Sequence, residues 1–209
     1  FLGLSNLTII QNALSIIRKT KEIDIDLGKI DIKDKETYKL LSRAETTGVF
    51  QLESDGMKRY LKELKPSVFE DIIAMVALYR PGPMQWISEF IDRKHGRKRI
   101  EYVHPTAKAA LENTYGIIVY QEQVMQLSKD MAGFTGGQAD TLRKAMGKKI
   151  AALMEKMGKE FIDGCIGNNV DKKIAEDLFQ SMKDFAQYAF NKSHAACYAL
   201  VAYQTAYLK

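Results

Sequence analysis

Two short stretches carry side chains that could meet an anion. Arg143, Lys144, Lys148 and Lys149 place four cations and no acid in the seven residues from 143 to 149, within a helical pattern that opens Ala139-Asp140-Thr141-Leu142. Guanidinium and ammonium groups on neighbouring turns suit phosphate oxygens. The preceding Thr135-Gly136-Gly137 turn is expected to leave backbone N–H groups at a helix start facing the same anion. The plainer alternative is a solvated cationic helix face. The second stretch is Tyr188-Ala189-Phe190-Asn191-Lys192-Ser193-His194, between two helical segments, with Ser193 expected as the N-cap of the second. A helix start preceded by Asn and Lys and carrying His suits a phosphate or a base edge. In the plainer alternative Ser193 only caps, Asn191 takes a left-handed turn position and His194 is a first-turn surface residue.

Other candidates are weaker. Arg80 precedes Pro81-Gly82-Pro83, a pinned turn that could hold a cation against a nucleic-acid backbone phosphate. Arg93, Lys94 and Arg97 head a basic run that continues through Lys98 and Arg99, either a nucleic-acid patch or a solvated loop broken by Gly96. Gln121-Glu122-Gln123 offers amides that could read bases, beside Tyr120 for stacking. Periodicity instead assigns Val119, Val124 and Leu127 to the core and turns Gln121 and Glu122 outward. There is no Gly-x-x-x-x-Gly-Lys-Ser/Thr phosphate loop, no acid pair spaced for two metals, and no Ser or Cys nucleophile near a His and an acid. Any catalytic carboxylates are expected outside these residues.

The composition bounds what these groups can serve. With 209 residues, 46% hydrophobic and 27% charged, the chain suits one substantial folded domain or a domain with an appendage. A formal charge of +5 favours an anionic partner. Cys165 and Cys197 stand alone, without metal-ligand spacing, which fits a reducing cytoplasm. No apolar run reaches the roughly 18 residues of a membrane span. Phe1 inside Phe-Leu-Gly-Leu is an unusual opening and suggests a piece of something longer.

The elements that must position these residues are almost all helical. Apolar residues at Leu7, Ile10, Leu14 and Ile17 predict a helix over 4–18, and residues 22–34 read as an extended linker. Helices follow from Asp34 or Lys35 to Leu41, from Met57 to Leu64, from a Ser67 cap through Leu78, from Trp86 to Lys94 and from Pro105 to Glu112. Tyr115-Gly116-Ile117-Ile118-Val119-Tyr120 predicts a short strand. Helices are expected again over 121–131, 139–146, 150–165, 171–190 and 193–209. The class is mainly α, an irregular multi-helix domain with at most a small β element.

Seven motifs in order carry a resemblance. Phe1-Leu-Gly-Leu, Gly48-Val-Phe-Gln-Leu-Glu-Ser, Leu78-Tyr-Arg-Pro-Gly-Pro, Phe90-Ile-Asp-Arg-Lys-His-Gly, Tyr115-Gly-Ile-Ile-Val-Tyr-Gln-Glu-Gln-Val-Met, Leu142-Arg-Lys-Ala-Met-Gly-Lys-Lys and Phe190-Asn-Lys-Ser-His run the length of the chain. Together they resemble the bacterial replicative DNA polymerase III alpha subunit family. The resemblance implies that residues 1–18 end the palm and 19–209 form part of the fingers. It also implies a palm aspartate just before Phe1, which would hold catalytic Mg²⁺ with two others further upstream, so that this stretch alone would be inactive. It further implies an enzyme that adds deoxynucleotides to a primer. Arg143 and Lys144, then Lys148, would contact the triphosphate. Tyr188, Asn191, Lys192, Ser193 and His194 would line the nucleotide and nascent-pair pocket, and Arg80, Arg93, Lys94 and Arg97 would meet DNA. Primer-template DNA and dNTP are the implied partners, with sliding clamp, proofreading exonuclease and clamp loader attaching through other regions. Three departures stand out: Lys144 where many relatives have Arg, Ala189 where Gly is frequent, and Lys98-Arg99 where an acid is common. The opposing reading is a non-catalytic helical nucleic-acid-binding or protein-docking domain, which needs no upstream aspartates.

Overall fold

The computed structural model describes residues 5–148, 150–186, 188 and 190–209, and for Ala186 only its place in a helix. Phe1 to Leu4, Lys149 and Ala189, which figure in the motifs above, lie outside the described residues. The described chain is mainly α, as expected. Its helices are α1 (Ser5–Lys21), α2 (Lys35–Ser42), α3 (Asp55–Leu64), α4 (Phe69–Leu78), α5 (Ile87–Lys94), α6 (Lys108–Leu111), α7 (Gln121–Ala132), α8 (Gly136–Lys148), α9 (Ala151–Gly167), α10 (Lys172–Ala186) and α11 (Lys192–Tyr207). Short 3₁₀ turns precede α5 and flank α6. No helix among the described residues is long and apolar enough to cross a membrane.

The chain divides into two compact units. The first comprises residues up to 76 together with 196–209. Its α2 is capped by Asp34, which accepts from the Thr37 N–H at 2.7 Å, and its α3 by Ser54, as side-chain acceptors at a helix start should be. Lys65 turns left-handed after α3, and Pro66 follows, where a helix cannot continue. Before α4 the buried carboxylate of Asp71 accepts from the Ser67 and Val68 N–H groups. Tyr203 ties the unit's ends together: its hydroxyl donates to the Asp31 carbonyl at 2.8 Å and accepts from the Asp34 N–H at 3.0 Å. In α1 the expected apolar stripe is mostly outside the core. Ile10 is buried, Leu14 and Ile17 are half-buried, and Leu7 is 54% exposed.

The second unit, residues 77–195, carries the candidate site residues. α7, α8, α9 and α10 enclose a core that includes Leu127, Met131, Leu142, Phe161, Leu178 and Met182. α7 and α9 approach closely because Gly164 has no side chain; a Cβ there would stand 2.3 Å from the Ala132 carbonyl oxygen. Phe134 and Phe179 meet the Phe161 ring from two sides, at centroid distances of 6.1 and 5.5 Å.

The predicted strand over 115–120 does not form. Tyr115 and Gly116 both turn left-handed, and the run ends at a parallel bridge between Tyr120 and Phe190, with no strand among the described residues. The Ile117-Ile118-Val119 run is apolar because it is buried among helices, and alternation-free apolar runs do not by themselves distinguish the two cases. α10 is described as far as Ala186, and the expected helix does not reach Phe190: Tyr188 lies in a turn and Phe190 in the bridge.

Candidate nucleotide-facing surface

Each cluster singled out in the sequence is organised around one carboxylate. On α8 the acid is Asp140. It receives the Arg143 guanidinium, with Nε at 2.9 Å and Nη2 at 2.7 Å, and the Lys144 ammonium at 2.7 Å on its other oxygen. Spacings of three and four residues bring these side chains to one helix face. Lys144, and then Arg143, hold the Asp140 carboxyl below its ordinary pKa, since both cations favour the charged form. The group stays open to solvent, with about a third of the Arg143 side chain and over half of Lys144 exposed. Lys148 is exposed on the last turn of the helix.

The start of α8 carries a reciprocal cap between Thr135 and Gln138. Thr135 Oγ1 accepts from the Gln138 N–H, while Gln138 Oε1 accepts from the Thr135 N–H at 3.0 Å and from its hydroxyl at 2.9 Å. This reciprocal cap engages the Thr135 and Gln138 N–H groups at the helix start. Arg143 also lies seven residues beyond Gly136, about 10 Å along the axis at 1.5 Å per residue.

The second cluster is built on Glu122, at the start of α7. Asn191 Nδ2 donates to Glu122 Oε1 at 2.9 Å, and the Lys192 backbone N–H donates to Oε2 at 2.9 Å. Asn191 Oδ1 in turn accepts from the His194 N–H at 2.8 Å. Asn191, not Ser193, is thus the capping residue of α11, and it is absent from the left-handed residues. Backbone bonds reinforce the junction: the Gln121 N–H donates to the Phe190 carbonyl at 3.0 Å. Lys192 Nζ lies 5.5 Å from the centre of the Tyr120 ring, and the His194 ring meets Phe190 edge-on at 5.3 Å. Ser193 and His194 are exposed on the first turn.

Arg80 braces this segment from the other side. Its Nη2 donates to the Tyr188 carbonyl at 2.8 Å, its Nε donates to the Ala77 carbonyl at 2.9 Å, and its guanidinium carbon sits 4.1 Å from the Phe190 ring centre. Burial moves the Arg80 pKa down from its ordinary value. Two nitrogens of the side chain expected on a DNA phosphate thus bond carbonyls of the chain itself, at Ala77 and Tyr188.

The basic run divides similarly. Glu89 receives Arg93 Nε at 2.8 Å and also Lys98, and these two cations, Lys98 first, hold its carboxyl below the ordinary range. Arg93 further donates to the Tyr115 carbonyl at 3.1 Å and is one-fifth exposed. Arg97 bonds to Asp92 at 2.7 Å but remains about half exposed, and Lys94 is half-buried. Gln123, weighed as a base-reading amide, is buried and fully engaged. Its Oε1 accepts from the Val119 and Tyr120 N–H groups, and its Nε2 donates to the Ala110 carbonyl and Thr114 Oγ1. Glu122, expected to face outward, instead joins α7 to α11.

Asp140 and Glu89 were within reach of the helical pairing rule; Glu122 joins residues about seventy positions apart and had no local signal. Among the described residues no three His, Cys, Asp or Glu side chains gather as a metal site, so these residues do not fit a metal ion and no metal step is assigned to them.

Comparison with known proteins supplies the frame. The profile of the family described as bacterial DNA polymerase III alpha subunit finger domain matches residues 6–169. The chain belongs to this finger-domain family. Over its full length it is 49% identical to the DNA polymerase III subunit alpha of Bacillus subtilis strain 168, 51% to that of Borreliella burgdorferi and 52% to that of Pseudomonas aeruginosa. It spans 18–19% of the length of these relatives. Within the finger-domain match lie the Asp140 and Glu122 clusters' helices α7 and α8, Arg80 and the basic run; Tyr188 to His194 follow beyond it.

Proposed function

We propose that this chain forms the part of a template-directed DNA polymerase that faces the incoming deoxynucleoside triphosphate and the nascent base pair. The observation that carries the proposal is the pair Arg143 and Lys144, held side by side on Asp140 and open to solvent, in a member of the finger-domain family. Arg143, Lys144 and Lys148 meet the triphosphate. There they stabilise the charge that grows on pyrophosphate as a primer 3′-hydroxyl attacks the α-phosphate. Mg²⁺ supplies metal-ion stabilisation of that reaction when bound, on aspartates of the intact subunit outside the residues described.

Tyr188, Lys192, Ser193 and His194 face the nucleotide and the nascent pair, while Asn191, engaged at both ends of its amide, holds them in place. Lys94 and Arg97 approach the duplex backbone; Arg80 and Arg93 serve it indirectly through the loops they brace. Residues 1–18 close the palm and 19–209 belong to the fingers. Primer-template DNA and dNTP are the substrates in the cytoplasm. The sliding clamp, the exonuclease subunit and the clamp loader bind elsewhere on the intact subunit, and the chain alone does not polymerise.

Photo-crosslinking tests this reading. In the intact subunit with primer-template, a dNTP tagged on its γ-phosphate should label α8, and a base-photoreactive dNTP should label 188–194. Labelling confined to other segments, with DNA still bound, would assign this region to the non-catalytic alternative.

A further inference from the structure

The Glu122 carboxylate ties α7 to the start of α11 through a set of three hydrogen bonds. Its two oxygens accept from Asn191 Nδ2 and the Lys192 N–H, and the far end of the same Asn191 amide accepts from the His194 N–H. The orientation of Asn191 is fixed by this chain, because turning its amide over would set donor against donor at His194 and acceptor against acceptor at Glu122. The ends of the segment are pinned separately, by the Tyr120 and Phe190 bridge and by Arg80 on the Tyr188 carbonyl. What remains for Glu122 to decide is the register of the first turn of α11, which carries Lys192, Ser193 and His194.

We infer that Glu122 is a positioning residue for nucleotide incorporation: it sets the first turn of α11 through Asn191, so that Lys192 and His194 are presented in one fixed geometry. This rests on the nucleotide-facing reading proposed above. Glu122 touches no substrate, and its influence reaches the reaction only through the Asn191 amide and the Lys192 N–H.

The hydrogen-bond polarity allows a swap that separates positioning from bulk stability. Glu122→Gln alone faces an amide N–H₂ with the Asn191 N–H₂. Asn191→Asp alone brings two carboxylates together. In the double variant the new amide at 122 donates to the new carboxylate at 191, still accepts from the Lys192 N–H, and leaves an acceptor for the His194 N–H, so all three bonds re-form. Single-nucleotide incorporation by the intact subunit should show each single variant raising the dNTP KM about tenfold with primer-template affinity unchanged, and the double variant returning to within about twofold of wild type. His194→Ala, which leaves the Glu122 chain intact, is run alongside.

If His194→Ala raises KM while both single variants lower only the melting temperature, Glu122 is merely structural and the inference fails. A double variant no better than the worse single would refute the route through Asn191. Should His194→Ala also leave the dNTP KM unmoved, the nucleotide-facing reading of this segment falls instead.

Discussion

The ring of Tyr188 lies directly over Gly82. A Cβ built on Gly82 would stand 2.2 Å from Tyr188 Cε1, and the glycine holds φ +98°, a conformation that side-chain-bearing residues rarely adopt. Pro81-Gly82-Pro83 is therefore more than a turn: the absent side chain is the seat of a residue assigned to the nascent-pair pocket. Gly82→Ala should destabilise the chain by roughly 2–3 kcal/mol and shift Tyr188. Thermal melting reads the first effect, and a fall in incorporation by the intact subunit reads the second. Wild-type melting and rate together would show that the ring does not rest there.

Arg80 acts on the same segment through a donor fork and a ring contact. Arg80→Lys keeps the charge but cannot make both carbonyl bonds or lie flat on Phe190. It should lose about 1–2 kcal/mol, and Arg80→Ala somewhat more. If Arg80 instead held a DNA phosphate, the lysine variant would retain stability, and only the alanine variant would weaken DNA binding and flatten its salt dependence.

Gln123 makes four hydrogen bonds, three of them buried, that fix the turn before α7. Gln123→Ala strands the Val119 and Tyr120 N–H groups and should cost about 2–4 kcal/mol, a melting shift on the order of 10 °C. A shift below about 2 °C would mean that the turn holds without it.

The acid on α8 makes a prediction of opposite sign for ligand and for pH. Asp140→Asn removes the counter-charge shared by Arg143 and Lys144 and should tighten triphosphate binding about threefold at low salt, less at high salt. Because Lys144 and Arg143 depress the Asp140 pKa, its contribution to stability is complete above the unfolded value of 3.8 and is lost as pH falls through the lower folded value. Acid melts of wild type and Asp140→Asn should differ above that value and converge below it. Curves that stay parallel to the lowest pH would remove the ion pair from the account.

The two cysteines differ in the way burial dictates. Cys165 is buried and its thiol is pushed up to about 11, whereas Cys197 is exposed. At pH 8 iodoacetamide should label Cys197 and leave Cys165 unmodified until the chain is denatured. Equal labelling in the native state would place α9 outside the core.

Much of this arrangement was legible in the sequence. The expected helices from Asp34 or Lys35 to Leu41 and from Met57 to Leu64 match α2 and α3 to within two residues, while the Ser54 cap that starts α3 at Asp55 is absent from that expectation. The acids of the cationic clusters were local: Asp140 stands three and four residues before Arg143 and Lys144, and Glu89 four before Arg93. The junction at Phe190 was not legible. Its bridge to Tyr120 and its bonds from Asn191 and Lys192 to Glu122 join residues about seventy positions apart, and it is in this setting that Asn191 caps α11 in place of Ser193. The apolar run 117–119 misled for a related reason, since a buried extended segment and a strand share one composition and differ only in whether a partner strand exists.

Arg143 is the side chain on which the triphosphate contact depends most. In the intact subunit, equilibrium binding of the correct dNTP to the enzyme and primer-template complex should weaken at least tenfold in Arg143→Ala, with primer-template affinity within about twofold of wild type. Unchanged nucleotide binding accompanied by weakened DNA binding would contradict it, and would make the α8 cations a nucleic-acid contact instead of a wall of the triphosphate site.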